Sequence, residues 1–447
     1  LKNIARTLAL GAALVIFGFT PSAQAAAKIQ RVISPGGIEA WLVQDATVPL
    51  VAMQFAFQGG SAQDPVDKPG VAQLMADNLD EGAGDLDSNA YHERLERRAI
   101  QMSFTVTRDY IRGSLRMLKD NRDEAFDLLR LALTAPRFDA EPLERVRGQT
   151  MSILRRESVT PGSIAGNKFF AAGYPNHPYA HSPRGTLESI PTISADDLRT
   201  YRQKVFARNG LTIAVVGDID ADALGKLLDV TFGALPAKGD LAPVPQATLA
   251  TSANRIFVPL DVPQTNILFG APSLNRDDPD FMAAYIVNHI VGGGSLSSRL
   301  YHEVREKRGL VYSVSESLWW MDKTSIFLGN TATRADRANE TVDRITAELK
   351  RIADEGSTQQ ELDEAKSYLK GSQMVSLDSS TKFAGALLQY QLDKLGIDYL
   401  DRRPGIIDAV TLEDAKRVAK KIWSHELLTV SVGRPPAEAA APKPIKN

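Results

Sequence analysis

The chain has 447 residues, 43% of them apolar and 24% charged, with a formal net charge of −2 at neutral pH. That is the balance of an ordinary globular protein of several domains, and it gives no electrostatic basis for binding nucleic acid or an anionic membrane surface. There is no cysteine, which excludes disulfides, thiolate metal sites and cysteine nucleophiles.

Residues 1–27 read as an export signal. Lys2 and Arg6 make a basic start, 8–19 is apolar, and Ala23-Gln24-Ala25 is a small-x-small cleavage site. The apolar run is shorter than the ~20 residues a membrane span needs, so the expectation is a soluble mature protein, periplasmic or secreted. Strand patterns follow over 31–43 and 48–57, then a loop opened by Gly59-Gly60-Ser61. Helical patterns over 71–79 and 91–99 precede paired strands over 100–107 and 110–115. Long amphipathic patterns cover 122–134 and 140–156, and the stretch 160–186, dense in proline and glycine, reads as loop. A helix capped by Ser194 runs to 206, a buried strand covers 211–216, and 221–232 is helical again.

The second half repeats this order. Ser194-Ala195-Asp196-Asp197, a helix and the strand from Leu211 are echoed by Thr411-Leu412-Glu413-Asp414, a helix and the strand from Leu428. The copies are spaced on the order of 215 residues apart, too far for a solenoid. The expected fold class is therefore α+β, as two tandem homologous domains (28–235 and 255–434), each a mainly antiparallel sheet covered by helices. A linker rich in Pro, Ala and Gly (236–254) joins them, and a tail (435–447) too poor in bulky apolar residues to pack ends the chain.

Within the second half, one stretch concentrates unusual features. A helical pattern over 277–291, with Pro279 in its first turn, meets Gly292-Gly293-Gly294-Ser295. A short helix capped by Ser297 then puts Leu296, Leu300 and Val304 toward a core, and Gly309 stops it. The strand that follows alternates, with Tyr312 and Val314 on one face and Val311 and Ser313 on the other. Pattern alone leaves two readings of Arg305 and Tyr312. Either they converge on one anionic or carbonyl oxygen across the turn, or Arg305 belongs to a solvated charge run and Tyr312 is an ordinary half-buried strand residue. In Trp319-Trp320, alternation puts one ring in the core and the other along a cleft.

The segment from Gly292 through Val314 resembles the C-terminal-half signature of the pitrilysin/mitochondrial-processing-peptidase family, zinc peptidases with an inverted H-x-x-E-H motif. The resemblance covers nearly all of the mature chain and implies a clam-like, two-domain peptidase architecture. It also implies that Arg305 and Tyr312 bind a substrate carbonyl and its developing oxyanion. The Gly292, Gly293, Gly294 and Ser295 turn is expected to let the backbone pass close to substrate or partner.

The family's zinc helix reads roughly Gly-x-x-His-x-x-Glu-His, and the matching segment here is Gly70-Val71-Ala72-Gln73-Leu74-Met75-Ala76-Asp77. Gln73 and Asp77 stand where the histidines would be and Ala76 where the catalytic glutamate would be. Ile153, or its neighbour Ser152, stands where the distal ligand is expected. The histidine pair His177 and His181 has i, i+4 spacing but lies among prolines in a loop, a structural setting. The expectation is a chain that binds no cofactor itself. It would be the non-zinc subunit of a heterodimeric peptidase whose H-x-x-E-H partner carries the zinc and acts on peptides. The rival is an inert scaffold or binding subunit of a larger assembly.

Overall fold

The computed structural model describes residues 28–252 and 255–435. The expected signal segment (1–27), the end of the linker (253–254) and the tail from 436 onward lie outside the described residues.

The first half runs β1 (Ile29–Ile33), β2 (Glu39–Gln44), β3 (Leu50–Gln58), α1 (Val71–Ala76), α2 (Ser88–Arg97), β4 (Gln101–Val106), β5 (Tyr110–Leu118), α3 (Arg122–Thr134), α4 (Ala140–Glu157), α5 (Pro161–Gly173), α6 (Ala195–Val205), β6 (Leu211–Gly217) and α7 (Ala221–Phe232). The second runs β7 (Arg255–Pro259), β8 (Gln264–Pro272), α8 (Phe281–Asn288), β9 (Val311–Met321), β10 (Thr324–Arg334), α9 (Ala338–Glu355), α10 (Gln359–Ser376), α11 (Ser380–Leu392), α12 (Tyr399–Ala409), α13 (Leu412–Trp423) and β11 (Leu428–Gly433). Residues 236–252 carry neither helix nor strand. The sheets have the orders β1-β2-β6-β3-β5-β4 and β7-β11-β8-β10-β9. Each has one parallel pair, β2 with β6 and β7 with β11, and is otherwise antiparallel.

The repeat is visible in its caps. Ser194 with Asp197, and Thr411 with Asp414, form the same reciprocal capping box at the start of α6 and α13. Among the described residues, no helix is long and apolar enough to cross a membrane.

Two sequence expectations change. The single strand over 31–43 is a hairpin, β1 and β2, because Pro35-Gly36-Gly37 makes a turn in which Gly37 has φ +84°. The stretch 160–186, expected as loop, begins with the 13-residue helix α5. Its Pro161 sits in the first turn, where the missing N–H costs nothing. Its Gly173 leaves room for Leu249, whose side chain would meet a Cβ there at 2.3 Å.

Helices α5 and α11 explain why the strands are apolar on both faces. In β6, Ile213 and Val215 face the core of the first half, while Ala214 and Val216 face the other way. That second face is covered by Ala384, Leu387 and Leu388 of α11, a helix of the second half. Reciprocally, Ala165, Phe169 and Phe170 of α5 pack on Leu428, Val430 and Val432 of β11. Each half thus lends one helix to the other's sheet. Phe169→Ala should cost about 3–5 kcal/mol, as for other buried phenylalanines. Because Phe169 belongs to one half and packs on the other, the loss should appear as an earlier but still single urea transition, followed by circular dichroism and tryptophan fluorescence. Two separated transitions would contradict the interlock.

Candidate functional site

The pairing of β9 with β10 slips at one point. Val314 faces Thr331 but Val311 faces Thr333, so Tyr312 and Ser313 together oppose the single residue Ala332. This bulge turns both Val311 and Val314 into the core and leaves Tyr312 84% exposed, with Ser313 exposed beside it. Strict alternation had put Tyr312 and Val314 on one face; the extra residue separates them. Two threonine hydroxyls pin the irregularity, Thr331 Oγ1 donating to the Ser313 carbonyl and Thr333 Oγ1 to the Leu310 carbonyl, each at 2.6 Å.

Arg305 lies on the helical turn that leads into this strand. Residues Tyr301–Glu306 are wound as a wide π-turn, with Leu300 and Val304 in the core, and Gly309 (φ +58°) ends it by donating to the Arg305 carbonyl at 2.9 Å. Such widened turns recur at functional sites. The neighbouring cations are occupied. Arg299 makes a two-pronged contact with Glu361 (2.6 and 2.7 Å), and Lys307 and Arg308 bind Glu303 at 2.5 and 2.8 Å, holding its carboxyl down at about 2. Arg305 has no carboxylate partner among the described residues. Its Nε is buried without an acceptor, and its guanidinium lies 5.8 Å from the Tyr301 ring. In a run that pattern reads as solvated charge, Arg305 alone is left uncommitted, on the turn that leads into the strand of Tyr312.

The glycine turn serves this strand. The helix does not break at the glycines: α8 continues as a π-turn through His289–Gly293. A Cβ on Gly292 would sit 2.7 Å from Glu316 Cβ and 2.8 Å from Glu316 N, so the turn lies directly against β9. Asn288 Nδ2 reaches the Glu316 carbonyl at 3.4 Å, covering part of an edge strand's free backbone. The close approach observed at Gly292 is therefore to the chain's own strand. Gly293 and Ser295 are exposed, Gly294 is half-buried, and Ser295 takes φ +53°. Two local expectations are corrected. Pro279 precedes Asp280, the cap of α8, and a 3-10 turn over Ser295–Ser297 shifts the register so that Leu296 is 64% exposed while Leu300 stays buried.

Glu316 itself escaped the sequence reading, although it is the one charge in β9. It is buried, and neither carboxylate oxygen has a hydrogen-bond partner; the nearby Trp423 Nε1 is also unpartnered. Burial pushes its pKa up to about 8, and the neighbouring Trp423 and Asn288 only partly offset this.

In the first half, α1 carries Gln73, Ala76 and Asp77. Gln73 Nε2 donates to Asp77 Oδ1 at 2.7 Å, and Ala76 is buried. Burial raises the Asp77 pKa, against the Gln73 hydrogen bond and the charge of Arg184. An amide tied to a carboxylate does not fit zinc, which takes neutral imidazoles, and α1 offers none. On α4 the buried stripe is Leu143, Val146, Thr150 and Leu154; Ile153 is half-buried and Ser152 exposed, so the inward-facing polar group is the Thr150 hydroxyl. No group of three or more potential ligands is assembled among the described residues. His177 is structural: its Nδ1 accepts from the Tyr179 amide (3.1 Å) and its Nε2 lies 3.0 Å from the Pro245 carbonyl. His289 stacks on Tyr368, ring centroids 4.7 Å apart.

The buried acid and its glycine lid generate one prediction. Glu316 keeps its proton in the folded state while the unfolded chain releases it, so wild-type stability falls as pH rises from about 4.5 to about 8. Glu316→Gln removes this slope, and the variant should gain on wild type by a few kcal/mol, order of magnitude, between those limits. Urea midpoints of both proteins at pH 5 and pH 8 decide it; parallel pH dependences would refute the raised pKa.

Comparison with known proteins places this architecture. Residues 40–185 match the family described as Insulinase (Peptidase family M16), and residues 192–369 match Peptidase M16 inactive domain. The chain is 28% identical to the Non-peptidase homolog YmxG of Helicobacter pylori, over 80% of this chain and 83% of that protein. It is 24% identical to the Uncharacterized zinc protease YmxG of Bacillus subtilis, over 89% and 96%. A crystal structure of a peptidase M16 inactive domain from Pseudomonas fluorescens superposes with TM-score 0.85 at 29% identity, covering 91% of this chain and 98% of that one. With the two family models matched in order over most of residues 40–369 and the same two-sheet fold, the chain belongs to peptidase family M16.

Proposed function

We propose that this protein is the non-zinc subunit of a heterodimeric M16 peptidase, giving Arg305 and Tyr312 to the active site of an H-x-x-E-H partner that acts on peptides. The observation that carries this reading is that each group is left free. A bulge turns Tyr312 out to 84% exposure, and Arg305, on the turn leading into the same strand, is the one cation of the 299–308 run without a carboxylate partner among the described residues. A chain with only a structural role gains nothing from an exposed phenol and an uncommitted guanidinium. The partner would supply the metal, since this chain's α1 does not fit one. Arg305 would bind a main-chain carbonyl of the peptide and fix its position. The Tyr312 hydroxyl would donate to the carbonyl oxygen as negative charge develops there, and such a donor typically contributes about 10²–10³ in rate. Gly293 and Ser295, exposed on the neighbouring turn, would line the approach of peptide or partner. An export signal at 1–27 would put the pair in the periplasm or outside the cell.

The similarity to a relative named a non-peptidase homologue favours a second reading, an inert binding or scaffold subunit. Co-purification of the tagged chain from its host, assayed for zinc and peptide cleavage, separates the two. Under the split-site reading a partner of similar size brings zinc, and cleavage appears only in the complex. Tyr312→Phe should then lower kcat about 10²–10³-fold with the complex intact, and Arg305→Ala should raise KM as well. Wild-type cleavage by both variants, or a complex without zinc or cleavage, would hand the protein to the scaffold reading.

A further inference from the structure

A cavity of about 1150 Å³ lies between the two halves, and its lining includes neither Arg305, Tyr312 nor the 292–295 turn. The β4–β5 and β9–β10 turns meet at its wall. There Tyr110 Oη donates to Asp322 Oδ1 at 2.7 Å, and the Asp322 amide donates to Asp109 Oδ2 at 3.1 Å. Trp319 and Trp320 both line it, rather than one of them alone.

The hydrogen-bonding capacity of this wall is unevenly used. Asp109 also accepts from Tyr179 Oη, and Asp393 accepts from Trp320 Nε1 (3.0 Å) and Gln389 Nε2 (2.8 Å). Asp278 is bound to Lys421 at 3.3 Å, which leaves Asp277 as the lining acid without a side-chain partner among the described residues. Burial raises the pKa of Asp109 and of Asp393. Of the lining cations, Arg276 pairs with Asp393 at 3.6 Å and Arg402 with Asp398 at 2.8 Å, but Lys323 and Lys394 are not paired: neither ammonium has a partner among the described residues. Arg112 gives Nη2 to Gln389 (2.7 Å), but its Nε is buried without an acceptor. Lys394 also holds φ +55°, a left-handed position after a helix that glycine fills more cheaply.

We infer that this cleft binds an acidic peptide segment, with Lys323 and Lys394 taking its carboxylates and Trp319 and Trp320 as its apolar wall. A peptide fits better than a compact anion for two reasons. The cavity exceeds the ~300–1,000 Å³ of small-molecule sites. Gln58 and Gln246 also line it with side-chain amides that make no hydrogen bond among the described residues, and an amide complements main-chain N–H and C=O groups together. The site is independent of the Arg305/Tyr312 reading.

A blocked triglutamate peptide, titrated at low ionic strength and followed by calorimetry and tryptophan fluorescence, tests this. The double variant Lys323→Ala/Lys394→Gly removes both ammonium groups; the first lies in a hairpin turn and the second change suits the observed φ, so the fold is retained. Wild type should bind saturably, and the double variant at least about tenfold more weakly. No saturable binding, equal affinity in the double variant, or equal binding of a blocked trilysine peptide overturns the inference.

Discussion

The rest of the structure depends on an exchange of helices. Helix α5 leaves the first half to cover the second half's sheet, and α11 returns the favour across β6 and β3. A sheet needs both faces covered when both are apolar, and here neither half supplies enough helices to do it alone. The physical result is that the halves share two hydrophobic cores as well as owning one each. Their relative placement is therefore set by packing, which is unforgiving of small displacements, rather than by a linker. The linker is itself drawn in: Leu249 packs with α5, and the Ala242 amide donates to Gln63 Oε1 at 2.8 Å.

Packing on that frame decides what the β9 hairpin presents. One face of β9 is held by Val311 and Val314 in the second core, and its outer edge is held at Glu316 by the α8 turn. With both sides fixed, the extra residue in the strand has one direction left to go, outward, and that is where Tyr312 goes. The same turn needs glycine at 292 because the strand backbone occupies the space of a Cβ. It also buries a carboxyl without partners, a cost that a purely structural strand has no reason to carry. Local irregularity is concentrated within about 25 residues, as two π-turns, a bulge, a left-handed Ser295 and an unpaired acid. Such concentration is expected where a fold departs from its own rules for function.

The two halves have diverged in opposite directions from one plan. In the first, the positions of a metal helix are filled by a hydrogen-bonded amide and carboxylate and by a buried methyl group, so α1 packs as plain structure. In the second, Tyr312 is exposed on β9 and Ser295 takes a left-handed position on the neighbouring turn. Family membership does not by itself carry an activity: the fold is shared with the M16 family, while function rests on the groups present at a site.

The sequence by itself determined the α+β class, the duplication, the capping boxes and most elements to within a few residues, because periodicity, caps and breakers are local signals. Through the resemblance it also pointed to Gln73, Ala76 and Asp77 as standing where the family's zinc helix has histidine, glutamate and histidine. It picked out Arg305 and Tyr312 by resemblance, without a physical reason to separate them from their surroundings. Tertiary structure decided what depends on distant residues. Whether α5 is helix or loop turned on a sheet some 270 residues away in the chain being there to cover, which composition at 160–173 does not reveal. Exposure of Tyr312 depended on a register slip against β10. Burial of Glu316 depended on the turn above it, and the freedom of Arg305 depended on its neighbours finding carboxylates on α10 and within their own turn. Local chemistry is written along the chain; which groups are left over after folding is settled only when the partners meet.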